Sequence, residues 1–144
     1  MRVVCQRVLE AKVEVKGKII GQIDRGYLLY IGFTHEDNEE TLVKMAKKIE
    51  RLRIFEDENH RLNLNLSQVQ GNILAVSQFT LYGDVKNNHR PSFMAAAKPD
   101  VALKLYEQFV TLLKSFSHVE TGKFGANMKV FSINDGPVTI EIEY

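Results

Sequence analysis

The chain has 144 residues, a length that suits one domain with a sizeable core. Its 44% hydrophobic and 26% charged content is ordinary for a globular protein, and a formal net charge of +1 supplies no global basic field for a nucleic-acid partner. A single cysteine, Cys5, excludes an internal disulfide, and no stretch has the apolar length of a membrane span or a signal peptide, so a cytoplasmic setting is expected.

In chain order, residues 2–9 and 12–15 read as two strands, supplied with Val3, Val4, Val8, Val13 and Val15. Lys16-Gly17-Lys18 reads as a hairpin turn, and residues 18–23 return as a strand. Asp24-Arg25-Gly26 is a second turn. Residues 27–34 are nearly all apolar and predict a strand buried on both faces. Residues 38–52 predict a helix, with Leu42, Met45, Ala46, Ile49 and Leu52 on one face. Its acidic start and basic end (Lys44, Lys47, Lys48, Arg51, Arg53) oppose the helix dipole favourably. That accounts for the charges; an RNA-binding face is the alternative.

Residues 55–65 are polar, with a short strand where Leu62, Leu64 and Leu66 alternate. Gln70-Gly71-Asn72 turns into a strong strand over 73–81, and residues 82–92 form a loop rich in Lys, Asn, His and Arg. A second helix is predicted over 99–116, with Pro99 in its first turn and Ala102, Leu105, Tyr106, Phe109, Leu112, Leu113 and Phe116 on its buried face. A strand near Val119, a turn with Gly122 and Gly125, and two last strands over 128–133 and 138–142 complete the chain. The pattern predicts a single α+β domain over residues 1–144: a mainly antiparallel, barrel-like sheet with two amphipathic helices.

Chemistry concentrates in three stretches. Ile133-Asn134-Asp135-Gly136-Pro137-Val138-Thr139 lies between the last two strands. A turn is one reading of its Gly-Pro pair. The other is a recognition device, because X-Pro admits a cis bond and glycine lets bare backbone approach a ligand. Ser77-Gln78-Phe79-Thr80-Leu81 ends the strongest strand, where polar groups facing a loop often line a site. Plain strand polarity explains it equally. Lys86-Asn87-Asn88-His89-Arg90-Pro91-Ser92-Phe93 is basic, polar and aromatic, suited to phosphates or the end of an RNA strand, or to an ordinary solvated loop. No zinc spacing, nucleophile elbow or Gly-rich phosphate loop accompanies them. No metal and no cofactor are expected.

Taken together, these motifs resemble those of the D-aminoacyl-tRNA deacylase family over essentially the whole chain. Arg7, Arg90-Pro91-Ser92-Phe93 and Thr121-Gly122-Lys123-Phe124-Gly125-Ala126 support the two main motifs. The family often carries a Gly-Asn-Arg-Pro-Ser-Phe type of segment where Asn87-Asn88-His89 precedes Arg90 here. The resemblance implies hydrolysis of the ester between a D-amino acid, or glycine, and the 3′-terminal adenosine of tRNA. It implies a homodimer with its active site at the subunit interface. A cis Gly136-Pro137 bond from one subunit would exclude L side chains in the other, braced by Arg7. Ser77, Gln78, Phe79 and Thr80 would line the site, with Phe79 near the terminal adenine. Lys86 and Arg90 are the expected RNA contacts, and neither a membrane nor a DNA partner is expected. Thr80 is the nucleophile candidate by position, but no base stands at a fixed spacing from it. It is read here as a positioning group, with water attacking and the RNA 2′-hydroxyl assisting. An editing domain of the archaeal threonyl-tRNA synthetase type is the alternative within the same fold. A non-catalytic RNA- or DNA-binding module is the alternative from another class.

Overall fold

The structure, a computed structural model, describes residues 1–87 and 89–144; Asn88 of the basic loop lies outside the described residues. One strand organises the rest. β1 (Arg2–Val15) runs unbroken through the point where Leu9 and Glu10 interrupt the apolar alternation. The sequence predicts two strands there. The chain instead stays paired and shifts register against its partner between Val8 and Glu10. Such length lets β1 serve several neighbours. One edge pairs its first half with β3 (Gly26–Gly32) and its second half with β2 (Lys18–Ile23), both antiparallel. The other edge pairs with β8 (Lys129–Glu143).

Beyond β3 the sheet continues through β6 (Asn72–Ser77) and β7 (Val119–Thr121), both in parallel pairings. Parallel neighbours need long crossovers, and these carry the two helices, α1 (Glu39–Arg51) and α2 (Pro99–Lys114). A small hairpin of β4 (Phe55–Glu56) and β5 (Leu62–Leu64) follows α1. The mixed, mostly antiparallel sheet nearly closes into a barrel. Its two ends meet at Gly21 of β2, where a Cβ would stand 2.7 Å from the Thr121 carbonyl oxygen.

Burial follows the strand period. Val8, Val13, Leu28, Leu74 and Val76 fill the smaller core cluster. Val3, Cys5, Tyr27, Leu29, Ile31, Ile73 and Ala75 join the larger one, which takes in the buried faces of both helices. β3 is accordingly buried on both faces, as its apolar run predicts. Asn38 caps α1 by accepting the Thr41 N–H at 3.2 Å. Pro99 opens α2, and Tyr106 on that helix donates to the Ala75 carbonyl at 2.9 Å, tying α2 to β6.

Two expectations change at the sheet ends. β6 stops at Ser77, and Phe79–Tyr82 form a 3-10 turn where the sequence predicts strand up to Leu81. The neighbour runs out at Gly32, whose missing side chain lets the turn fold inward. A Cβ there would lie 3.0 Å from the Gln78 oxygen and 3.1 Å from Leu81 Cβ. At the other site, the two last strands are one. Asn134 pairs with Val8 and Thr139 with Gln6, so residues 135–138 leave the ladder as a bulge and the chain resumes in the same direction. The Gly-Pro pair therefore reverses nothing.

Candidate active site

The bulge is held from below by Arg7. This side chain is only 4% exposed, although it points from the middle of β1 and carries a charge. Its guanidinium must find partners, and it finds them on two elements. Nε donates to the Asp135 carbonyl at 3.1 Å and lies 3.1 Å from Asp135 Oδ2. Nη1 donates to the Ile54 carbonyl at 2.9 Å, and Nη2 stands 3.6 Å from Glu56 Oε1. The Gly136–Pro137 peptide is cis, and Gly136 has φ +122, a region L side chains rarely enter. A Cβ on Gly136 would lie 3.0 Å from Arg7 Nη2 and 2.8 Å from Val138 Cγ2. The neck of the bulge is closed by Asn134, whose Nδ2 donates to the Val138 carbonyl at 3.2 Å. Ile54 and Glu56 carry no sequence signal for this role, since they come from a segment about 80 residues away in the chain from the bulge, whereas Asn134 belongs to the Gly-Pro stretch itself.

The second motif opens onto a cavity of about 670 Å³, a volume within the range of small-molecule sites. Ser77, Gln78 and Phe79 form one wall. Phe93, Met94, Ala96 and Ala97 form another, leading into Lys98 and Pro99 at the start of α2. Phe124 to Met128 and Val130 supply a third. The second wall is pinned by backbone. Ala97 N donates to the Phe33 carbonyl at 2.9 Å, and Thr34 Oγ1 donates to the Ala95 carbonyl at 2.7 Å. Phe79 is 57% exposed and meets Phe93 edge to face at 5.1 Å. The wall over 124–128 is legible in the sequence only as a Gly-rich turn, because nothing in its spacing says which strand end it folds against.

Thr80 does not line this cavity; its exposed hydroxyl is bonded by the Gln78 side-chain amide. Neither do Lys86 and Arg90, which are exposed on the loop beyond. That loop is pinched at its base, where Asp84 and Ser92 exchange backbone bonds of 2.8 and 2.9 Å. The 3-10 turn also leaves two donors over. Leu81 N and Gly83 N bond within the turn, but the N–H groups of Phe79 and Thr80 have no acceptor among the described residues. Lys98 is the one titratable side chain on the cavity wall among the described residues. Among the described residues, no three His, Cys, Asp or Glu side chains gather as a cation site would require.

Arg7, Gly136 and Pro137 are absent from the cavity wall. Val130 lines the cavity, and Gly136 lies six residues further along β8, about 20 Å on an extended strand. The two motifs of one chain do not meet.

Comparison with known proteins places this architecture. The family described as D-Tyr-tRNA(Tyr) deacylase matches residues 4–143. This chain belongs to that family. Its activity class follows: it is a hydrolase of the D-aminoacyl-tRNA ester. A D-aminoacyl-tRNA deacylase of Exiguobacterium sibiricum is 57% identical over 144 residues, covering 99% of each chain. One from Thermosipho africanus is 51% identical, covering 99% of this chain and 97% of its own. Among solved structures, one titled c-Myc DNA Unwinding Element Binding Protein superposes with a TM-score of 0.95 at 40% identity, covering 100% and 99% of the two chains. A probable eukaryotic D-amino acid tRNA deacylase superposes with a TM-score of 0.84 at 20% identity, which speaks for the fold alone. Nothing in these matches favours the synthetase editing domain. Among the described residues, no helix is long and apolar enough to cross a membrane.

Proposed function

We propose that the chain hydrolyses D-aminoacyl-tRNA as a homodimer, with the bulge of one subunit entering the cavity of the other and acting as a wall against L side chains. The observation that carries this reading is the separation of the two motifs within one chain. A cavity without a chiral wall and a wall without a cavity become one site when two copies exchange them. The free edge supports it. β8 is a 15-residue edge strand, and Leu9, Phe131 and Ile133 beside it are 51%, 44% and 50% exposed. A long apolar edge invites a second chain.

The chemistry is then simple. An aminoacyl ester is already reactive, so a nucleophile and base held by the protein are not required. The 3′-terminal adenosine lies in the cavity with its base near Phe79. The ester carbonyl points at the spare N–H groups of Phe79 and Thr80, and one such donor stabilises a developing oxyanion by roughly 3–4 kcal/mol. Water attacks, assisted by the ribose 2′-hydroxyl. The Thr80 hydroxyl, engaged by Gln78, orients the turn. Gly136 and Pro137 present backbone oxygens that cannot rotate away, so an L side chain collides and a D side chain leaves in the other direction. Glycine has no side chain to reject and is hydrolysed as well. A tRNA substrate sets the work in the cytoplasm.

The test uses matched D- and L-tyrosyl-tRNA and glycyl-tRNA, with light scattering on the same sample. Ester loss from the D and glycyl forms by a dimer is expected. Full activity from a monomer would overturn the shared site, and equal rates on both enantiomers would overturn the wall.

A further inference from the structure

The solvent face of α1 carries a cluster of cations that the ester chemistry does not use. Lys44, Lys47, Lys48, Arg51 and Arg53 surround a shallow hollow of about 350 Å³, floored by Leu52 and Tyr144. All five are exposed, and among the described residues none lies within 4.0 Å of a carboxylate. The helix dipole explains only part of this. Its effect fades beyond the last turn, which holds Lys48 and Arg51. Lys44 and Lys47 stand earlier in the helix, and Arg53 lies past its end. The cluster also opposes helix stability. The pairs 44/47, 44/48, 47/51 and 48/51 are like charges at three- and four-residue spacing, each unfavourable by about 0.2–0.5 kcal/mol. In a chain whose net charge is +1, such a concentration is a local feature that the fold tolerates at a cost.

We propose that this face binds the phosphate backbone of the tRNA acceptor duplex while the 3′ end occupies the active site. The inference rests on the deacylase reading and extends it to the body of the substrate. Two series of contacts lead from the cluster, one to the bulge, which on the shared-site reading serves the partner's cavity, and one to the turn beside this chain's own cavity. Arg53 is followed by Ile54, whose carbonyl accepts Arg7 Nη1 beneath the bulge. Lys44 Nζ sits 4.1 Å over the Tyr144 ring, Tyr144 N donates to the Met1 carbonyl, and neighbouring Arg2 donates to the Leu81 carbonyl within the 3-10 turn at 2.6 Å. Arg53 thus adjoins the residue that braces the bulge, and on the proposal a duplex leaving the cavity that this bulge enters runs past the α1 face. Exposed cations on one helix face, without base-reading donors among them, suit phosphates of any sequence, as an enzyme serving many tRNAs requires. Lys86 and Arg90 would hold the single-stranded end, and the α1 face the duplex.

The test compares the whole protein with the triple variant Lys47→Gln, Lys48→Gln, Arg51→Gln. Binding of uncharged tRNA should weaken at least tenfold near 0.1 M salt. The slope of log affinity against log salt should fall by about 2–3 units, close to 0.9 for each duplex phosphate that is no longer neutralised. The KM for D-tyrosyl-tRNA should rise with kcat retained, while hydrolysis of 3′-D-tyrosyl-adenosine, which has no duplex, should be unchanged. Unaltered tRNA affinity and salt slope in the triple variant would overturn the proposal. If the triple variant fails to fold, Lys47→Glu alone should still lower the salt slope by about 1. Failure of the deacylase reading would appear separately, as a parent protein inactive on both esters, while the binding measurement still decides the face.

Discussion

The bulge and the cavity achieve order in opposite ways. The bulge is over-determined: a buried guanidinium, two carbonyl acceptors, a carboxylate and the Asn134 bridge all fix a few backbone atoms. The cavity is under-furnished: mostly apolar walls with Ser77, Gln78, Asn127 and, as the one titratable side chain among the described residues, Lys98. On the proposed function, that difference suits two tasks. Discrimination between mirror images needs atoms that cannot yield. Hydrolysis of an activated ester needs only donors in place and water.

Breaking the bulge should therefore have the largest effect. Arg7→Ala leaves the buried Ile54 carbonyl unpaired, at about 1–3 kcal/mol, and removes the partner of the part-buried Asp135 carbonyl as well. Denaturant unfolding should register that loss. In paired assays on D- and L-tyrosyl-tRNA, the preference for D should collapse by two orders of magnitude or more. Arg7→Lys keeps the charge but not the fork, and it should restore stability better than it restores chirality.

Gly136→Ala is a smaller intrusion at the same place. Its Cβ must push against Val138 and Arg7 Nη2 in a backbone region unfavourable to alanine, at about 1–3 kcal/mol. Discrimination should drop about tenfold or more while the melting temperature moves by a few degrees. An unchanged D-to-L ratio would mean that the bulge does not face the substrate.

Substitutions in the cavity should act on binding. Phe79→Ala loses an edge-to-face pair with Phe93, worth about 0.5–1.5 kcal/mol, but the ring is already half in solvent. KM should rise about tenfold with stability nearly intact. Thr80→Ala should leave measurable turnover, within about tenfold of the parent, because the hydroxyl is off the cavity wall and has no base. A trapped acyl-enzyme on Thr80 would reverse the assignment.

The mildest probe is pH. Among the described residues no histidine or carboxylate of the chain lines the cavity, so log kcat should climb with pH between about 5.5 and 8 without a plateau near a histidine pKa. Stability should respond at the alkaline end through buried phenols. Burial pushes the Tyr82 phenol up to about 12 and shifts Tyr27 and Tyr106 in the same direction. A raised pKa means the fold holds the neutral form. That contribution is intact below the ordinary phenol value near 10 and is lost as pH rises through the folded value. Thermal melts should be level from about pH 7 to 9 and fall above about 10.

Local signals in the sequence sufficed for much of this molecule. Helix α1 is bounded within one residue of its prediction, because the Asn38 cap, the apolar stripe and the basic end all agree. β3 is legible because only a strand covered on both sides is apolar at every position. The family is legible because two rare motifs occur in order. Long-range partners were not. A bulge and a hairpin share the same Gly-Pro spelling, and only the pairing of β8 along β1 on both sides of it tells them apart. Phe79 and Thr80 have strand propensity and follow a strong strand, yet the chain turns there because β3 ends at Gly32 and leaves it no ladder partner. Arg7 looks like an ordinary polar residue on a strand until Ile54, Glu56 and Asp135 arrive from remote parts of the chain. Propensity and capping act over a few residues and can be read directly. Pairing, burial of a charge and the distance between two motifs are set by contacts tens of residues apart, and those exist only once the chain has folded.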